Sequence, residues 1–385
     1  MRVLIVKLSS LGDVVHALPV VADIRVARPG VRIDWVVEPG FAPLLQRTEG
    51  VDAVIEMPLR RWRREGLLRA AVRSQVRAFV HRLRRERYDL VLDLQGLTKS
   101  ALVAALARGP SVGLANRTEG SSHEAPARWL VGRAIRVEPR SHAVDRSREL
   151  AAKALGTAVS GPPRFGLRGA RRIGSGSATG ERAEPPPAGG SDGLARVAGA
   201  ALRGAGGADV AAVGDADESA AAAIDGAGTR PDAPVVFIHG TSRADKLWPE
   251  ANWIELGRRL ANSGARIALP TADAAERARA EHIAAGIGAA AQVWPTLDLG
   301  SFVDRLAASA GAIGVDSGPS HIAVALGLPH VQVYNHPTAW RTGPQARHGA
   351  RHQVAVEGRP APSVYAVWEA WQRVGQPAPG ASPSA

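Results

Sequence analysis

The sequence predicts an α/β protein of two domains, each built on a parallel sheet. Three observations carry this. Short apolar runs alternate with stretches of helical periodicity, as in repeated strand–helix–strand units. The alternation stops once, over a long stretch poor in aromatic residues, and then resumes. The length, 385 residues, suits two domains and a linker.

In the first half, residues 2–6 read as a strand. A turn follows with Ser9, Ser10 and Gly12, then a helical pattern from Asp13 through Val14, Val15, Leu18 and Val21. Residues 32–37 and 53–55 read as further strands. A basic stretch runs from 60 to 87. The strand at 90–94 leads into Gln95, Gly96 and another helix. No aromatic residue occurs between Phe165 and Phe237, and Gly, Ala, Pro, Ser and Arg dominate there. Such a stretch buries too little apolar surface to offset chain entropy, so a disordered linker is expected.

In the second half, residues 234–238 form a strand. A helix is expected from Pro249, which suits a first helical position, to about Leu260. A strand at 266–269, a helix through Glu276 to Ile283, strands at 312–315 and 330–334 with a helix between them, and a helix at 363–374 complete the reading. The boundaries drawn are 1–157 for the first domain, 158–232 for the linker and 233–362 for the second domain. Residues 363–385 form a closing helix and flexible tail.

Lys and Arg number 48 against 36 Asp and Glu, a formal charge of +12. This favours anionic partners, whether phosphates, nucleic acid or an acidic membrane surface. With no cysteine, a disulfide framework, a cysteine–zinc site and a thiol nucleophile are excluded. The N-terminal apolar run is too short for a signal-peptide core, and no stretch approaches a membrane helix of ~20 apolar residues. A cytoplasmic location is expected, soluble or on a membrane surface.

Three strand-to-helix turns carry candidate chemistry, because ligands of open α/β sheets bind beyond the carboxyl ends of the strands. Asp13 falls where the first turn enters its helix. It reads either as a helix cap or as a carboxylate free to act as general base. The turn from His239 to Pro249 holds Thr241, Ser242 and Lys246 ahead of a helix N-terminus, a setting suited to phosphate. Alternatively it is a polar surface loop. The turn from Gly314 to His321 offers Asp316, Ser317 and Gly318, whose hydroxyl and backbone N–H groups suit a diphosphate. His321 alone reads as structural or as a ligand contact. The run Arg60, Arg61, Trp62, Arg63 and Arg64 reads as a solvated helix face or as a polyanion dock, with Trp62 at a lipid interface or stacked on a base. Asp215 and Asp217 match a D-x-D metal motif but lie in the linker without a flanking strand. No complete G-x-G-x-x-G, Walker A, H-E-x-x-H or metal-spaced histidine pattern occurs.

Together these pieces resemble the lipopolysaccharide heptosyltransferases. The matching residues are Arg2 to Lys7, Ser9 to His16, Asp34 to Glu38, Arg60 to Arg63, Asp93 to Ser100, Thr241 to Pro249 and Gly314 to His321. They span about 1–157 and 234–345. The resemblance implies a GT-B fold, two Rossmann-like domains facing a cleft. It implies inverting transfer of heptose from ADP-heptose to the Kdo of Kdo2-lipid A, with no cofactor and no metal. The Arg-Arg-Trp-Arg element favours the first enzyme of inner-core assembly over a second or third acting on a heptosylated core. The resemblance makes Asp13 the catalytic base. It assigns Thr241, Ser242, Lys246, Asp316, Ser317, Gly318 and His321 to the donor. Glu276 is the candidate for the adenosine ribose, although its strand-to-helix spacing is short. Ser10, Gly12, Arg60, Arg61, Arg63, Arg64, Gln95 and Lys99 are assigned to the acceptor. The implied setting is a monomer on the anionic cytoplasmic face of the inner membrane. A non-catalytic polyanion binder is the rival from another class, but no nucleic-acid module is recognisable. Two departures from the family pattern stand out: the long segment 158–232, and Pro319 where leucine is usual.

Overall fold

The computed structural model describes residues 1–169, 233–345 and 352–374. The first domain holds strands β1 (Arg2–Val6), β2 (Arg32–Val37), β3 (Ala53–Glu56), β4 (Leu90–Asp93), β5 (Ser111–Leu114) and β6 (Arg133–Ile135). Its helices are α1 (Leu11–Ala17), α2 (Pro19–Ala27), α3 (Ala42–Gln46), α4 (Leu59–Glu65), α5 (Ala70–Leu83), α6 (Thr98–Leu106), α7 (Ala127–Leu130) and α8 (Ala143–Leu155). The second domain holds β7 (Val235–Ile238), β8 (Ile267–Leu269), β9 (Ala291–Val293), β10 (Gly311–Val315), β11 (His330–Tyr334) and β12 (Gln353–Glu357). Its helices are α9 (Glu250–Asn262), α10 (Ala274–Ile287), α11 (Leu299–Ala307), α12 (Gly318–Ala325), α13 (Ala339–Thr342) and α14 (Val364–Val374).

Each sheet has six parallel strands, ordered β3-β2-β1-β4-β5-β6 and β12-β11-β10-β7-β8-β9. Counted from its own first strand, each runs 3-2-1-4-5-6, and the order reverses between the first and fourth strands. Loops diverge at that point and leave a crevice for ligand. The central strands are apolar throughout because both faces are covered. In β1, Val3 and Ile5 enter one core cluster while Leu4 and Val6 enter the other.

The two domains pack directly against each other. Arg47 on the first domain grips the Asp304 carboxylate with Nε and Nη2, both at 2.7 Å. Gln345 Nε2 donates to Asp145 Oδ2 at 2.9 Å, and His142 Nε2 lies 3.0 Å from the Gly343 carbonyl. At the centre, α1 packs against α12. A side chain on Gly12 would collide with the His321 ring, and one on Gly318 would collide with Leu11.

Several details differ from the sequence reading. The first helix starts at Leu11, two residues before Asp13, and breaks after Ala17, because Pro19 lacks an N–H and begins a new helix. Pro249 is the cap before α9, not its first residue. The first domain extends past 157: the Glu49 N–H donates to the Gly166 carbonyl at 2.8 Å, and Leu167 bridges Thr48. Most of the 158–232 segment, with Asp215 and Asp217, lies outside the described residues, as does the tail after 374. The closing helix α14 belongs to the second domain, where Val367 and Ala370 are fully buried in its core. Strands β5, β6, β9 and β12 and helices α3, α7, α8, α11 and α13 were not anticipated.

Candidate active site

The two switch points face one another across a cleft of about 410 Å³. Ser10, Gly12, Asp13, Arg60 and Arg146 line it from the first domain. Thr241, Ser242, Lys246, Glu276, Asp316, Ser317, Gly318, His321 and Arg341 line it from the second. Every donor-side residue expected from the sequence is therefore gathered there.

Asp13 is not the helix cap. Ser10 holds that position, and Asp13 is the third residue of α1. The Asp13 Oδ2 atom accepts from the Ser10 N–H at 3.0 Å and from its hydroxyl at 2.7 Å. This is the reciprocal arrangement of a capping box. The side chain is still 42% exposed to the cleft. Beneath it lies buried Lys7, whose Nζ is 3.8 Å from Asp13 Oδ1 and donates to the Leu94 carbonyl at 3.0 Å. Burial works to raise the carboxyl pKa, but Lys7, Arg146 and the Ser10 hydrogen bonds outweigh it and hold Asp13 below the usual carboxylate range. The group is ionised at neutral pH, as a proton acceptor must be.

Across the cleft, Lys246 Nζ and Asp316 Oδ2 pair at 2.5 Å. The His321 Nε2 lies 3.5 Å from Asp316 Oδ1, and the Thr241 hydroxyl donates to the Asp316 carbonyl at 3.3 Å. Burial opposes ionisation of Asp316, yet His321 and Lys246 draw it well below its ordinary value. Asn335 Nδ2 fixes the loop by donating to the carbonyls of Asp245 (3.1 Å) and Leu247 (2.9 Å). Ser317 and Gly318 open α12, whose first N–H groups have no partner within the helix. Pro319 is its second residue, where its missing N–H breaks no helical bond. His321 is buried and its ring centroid is 4.2 Å from that of His16.

Glu276 comes from the N-terminus of α10, at the carboxyl end of the strand beside β7. Its Oε2 accepts from the Ala272 N–H at 2.9 Å. Its carboxyl lies against Gly240, where any Cβ would overlap it, so Gly240 gives this acid its place beside the Thr241–Lys246 loop. Burial raises its pKa.

The acceptor-side candidates divide. Arg60, Arg63 and Lys99 act electrostatically on buried Glu38, whose carboxyl burial raises and they lower. Arg61 turns the other way, donating to Gln75 at 2.7 Å. Arg64 is exposed on α4 and does not line the cleft. Gln95 is buried, and its Oε1 accepts the Leu8 N–H at 2.8 Å. It ties the β4 loop to the β1 loop instead of facing ligand. Trp62 is neither an interface anchor nor a stacking platform. It is 2% exposed, packs on Phe79 and donates from Nε1 to Gln75 at 2.9 Å.

Arg146 and Arg341 line the cleft and Lys7 lies beneath Asp13, and none of the three was singled out in the sequence. Arg146 is buried, donates to Thr118 Oγ1 at 3.0 Å, and its Nε has no partner. Arg341 crosses from α13 to lie over Gly120 of the first domain. Among the described residues no group of three metal-ligating side chains occurs, and no helix is long and apolar enough to cross a membrane.

Residues 76–357 match the family model for glycosyltransferase family 9 (heptosyltransferase). The chain belongs to glycosyltransferase family 9. It is 36% identical to lipopolysaccharide heptosyltransferase 1 of Pseudomonas aeruginosa, over 90% of this chain and 82% of the relative. It is also 36% identical to the enzyme of that name from Escherichia coli K12, over 87% and 88%. The E. coli heptosyltransferase WaaC solved with ADP superposes with a TM-score of 0.72 at 31% identity, covering 96% of this chain and 98% of that one. The same enzyme with ADP-2-deoxy-2-fluoro heptose gives 0.69. E. coli heptosyltransferase II shares the fold, at 0.65 and 19% identity. This family 9 member is thus a glycosyltransferase of two Rossmann-like domains, with the activity of a lipopolysaccharide heptosyltransferase of type 1.

Proposed function

We propose that this glycosyltransferase moves heptose from ADP-heptose to a Kdo hydroxyl of Kdo2-lipid A, with Asp13 as general base. The supporting observation is the opposition of two differently charged loops. Ionised Asp13 stands on one side of the cleft, and the Lys246–Asp316–His321 group stands on the other.

The acceptor hydroxyl is a weak nucleophile, and Asp13 takes its proton as the new bond to the anomeric carbon forms. Attack opposite the leaving ADP inverts that carbon. Charge grows on the departing diphosphate, where Lys246 and the N-terminal N–H groups of α12 stabilise it without a metal ion. Glu276 takes the ribose hydroxyls. Arg60, Arg63 and Lys99 receive acceptor phosphates or carboxylates. The enzyme works at the cytoplasmic face of the inner membrane, where its lipid acceptor resides.

The test is ADP release from ADP-heptose, with and without Kdo2-lipid A and in the presence of EDTA. Acceptor-dependent, EDTA-resistant release is expected. Release only with an already heptosylated core would overturn the acceptor assignment, and loss of activity with EDTA would overturn the metal-free mechanism.

A further inference from the structure

The basic stretch of the first domain serves two surfaces. Arg60 lines the cleft, and Arg60 and Arg63 both act on the Glu38 carboxylate. From Gly66 to Arg85 the chain holds six arginines and no Asp or Glu. Helix α5 buries Val72, Phe79 and Leu83 against the sheet. Its other side presents Arg73 and Arg77, one turn apart, continued by Arg84 just past the helix end, all exposed. Arg69 precedes the helix as its cap. None of these four makes an ion pair among the described residues. By contrast, Arg25, Arg47, Arg148 and Arg259 are all paired with carboxylates.

Beside this stripe the α4–α5 turn exposes two leucines, Leu67 at 48% and Leu68 at 87%. They contribute nothing to the buried clusters. Trp129 on α7 is 69% exposed, with the Arg128 guanidinium 4.8 Å over its ring. Glu124, just ahead of α7, feels both Lys99 and Arg63, so α7 flanks α4. Exposed leucine next to a run of arginines without acids is the chemistry of a surface that lies on an anionic bilayer. The apolar tips enter the headgroup boundary while the cations stay at the phosphates. Long arginine side chains also reach along apolar surface to place their charge in water.

We propose that the α4–α5 turn and the exposed side of α5 dock this enzyme on anionic lipid, with Leu67 and Leu68 as the inserted wedge and Arg69, Arg73, Arg77 and Arg84 as the electrostatic contact. The inference rests on the reading of the acceptor as lipid-anchored. It locates the membrane contact on residues separate from the cleft, so that a docked enzyme presents the mouth beside Arg60 to acceptors in the same bilayer.

The experiment is co-sedimentation of the full chain with vesicles of phosphatidylglycerol and phosphatidylethanolamine, and with phosphatidylcholine alone, across a salt series. Wild type is expected to bind the anionic vesicles and to lose them as salt rises. R73Q/R77Q should weaken binding by an order of magnitude or more, since each arginine near an anionic surface contributes about fivefold. L67S/L68S should weaken it on the same scale but leave the salt dependence in place. Both variants should keep wild-type turnover on a de-acylated, water-soluble Kdo acceptor, which reports folding and the cleft separately. Wild-type vesicle binding by both variants would overturn the proposal. Loss with R73Q/R77Q but none with L67S/L68S, together with equal retention on heparin, would replace a membrane surface with a general polyanion surface. Absence of turnover on any Kdo acceptor, with vesicle binding intact, would instead sink the acceptor reading.

Discussion

Asp93 and Asp316 both stand at the carboxyl end of the fourth strand of their domain, in sheets of the same strand order. In the first domain the carboxylate turns inward. Asp93 is 1% exposed and accepts the N–H groups of Gln95 (2.9 Å) and Gly96 (3.3 Å). Burial pushes its pKa up to about 6 despite those bonds. In the second domain Asp316 meets Lys246 and His321 and is held well below its ordinary value. One position shapes a loop, and the other organises charge at the cleft. The first domain brings its cleft carboxylate, Asp13, from the neighbouring loop instead, on the third residue of α1. Identical topology thus fixes where a site can be, while the partners within a few ångströms fix what each carboxylate does.

Four substitutions sharpen or break this contrast. The largest effect is expected for Asp13→Asn, which keeps the capping shape but cannot take a proton. Turnover should fall on the order of 10³-fold, with donor affinity within a few-fold; near-normal turnover would remove Asp13 from the base role. Lys246→Ala should follow, with a loss on the order of 10²-fold spread over donor binding and turnover. It also strips Asp316 of its cation, and unchanged kinetics would show that the pair serves only the loop.

Lys7→Met should cost on the order of tenfold at neutral pH. Its diagnostic is the pH profile. Lys7 depresses the Asp13 pKa, so its removal should move the acidic limb of kcat/KM to higher pH. A drop in rate with an unmoved limb would mean a structural role alone.

The smallest effect on turnover is expected for Asp93→Asn. Asp93 has a folded pKa near 6, above the value of about 4 for an unfolded aspartate. The folded state therefore holds the proton more tightly, and the Asp93 contribution to stability grows as pH falls from about 7 to about 4. The asparagine variant lacks that gain, worth at most about 3 kcal/mol. Thermal midpoints of both proteins against pH should diverge in favour of wild type on acidification; parallel curves would show that Asp93 does not titrate in this range.

The sequence exposed what local pattern can encode. Each of the three strand-to-helix turns, with Asp13, Lys246 and Asp316, is a short continuous stretch of chain, so the alternation around it marks it as a ligand loop. What escaped it depends on distant partners. Arg146 sits on a helix that was not anticipated, and it joins the site only because the fold carries α8 against α1. Trp62 sat in a basic run and looked like a surface residue, but helical geometry turned it inward between charges. The resemblance assigned Gln95 to the acceptor, but its Oε1 accepts from the Leu8 N–H, far away in sequence. Short strands such as β6 and β9, three residues each, are too brief to show a period, and sheet pairing alone defines them.

The meeting of α1 and α12 also acts as a gauge. Gly12 faces the His321 ring and Gly318 faces Leu11, so the separation between the half carrying Asp13 and the half carrying Asp316 is set by two missing side chains. A single methyl group at either glycine would be a shim between them. The spacing between the two carboxylates is therefore written into the smallest residues of the seam, and substrates need only fit a gap whose width the backbone has already cut.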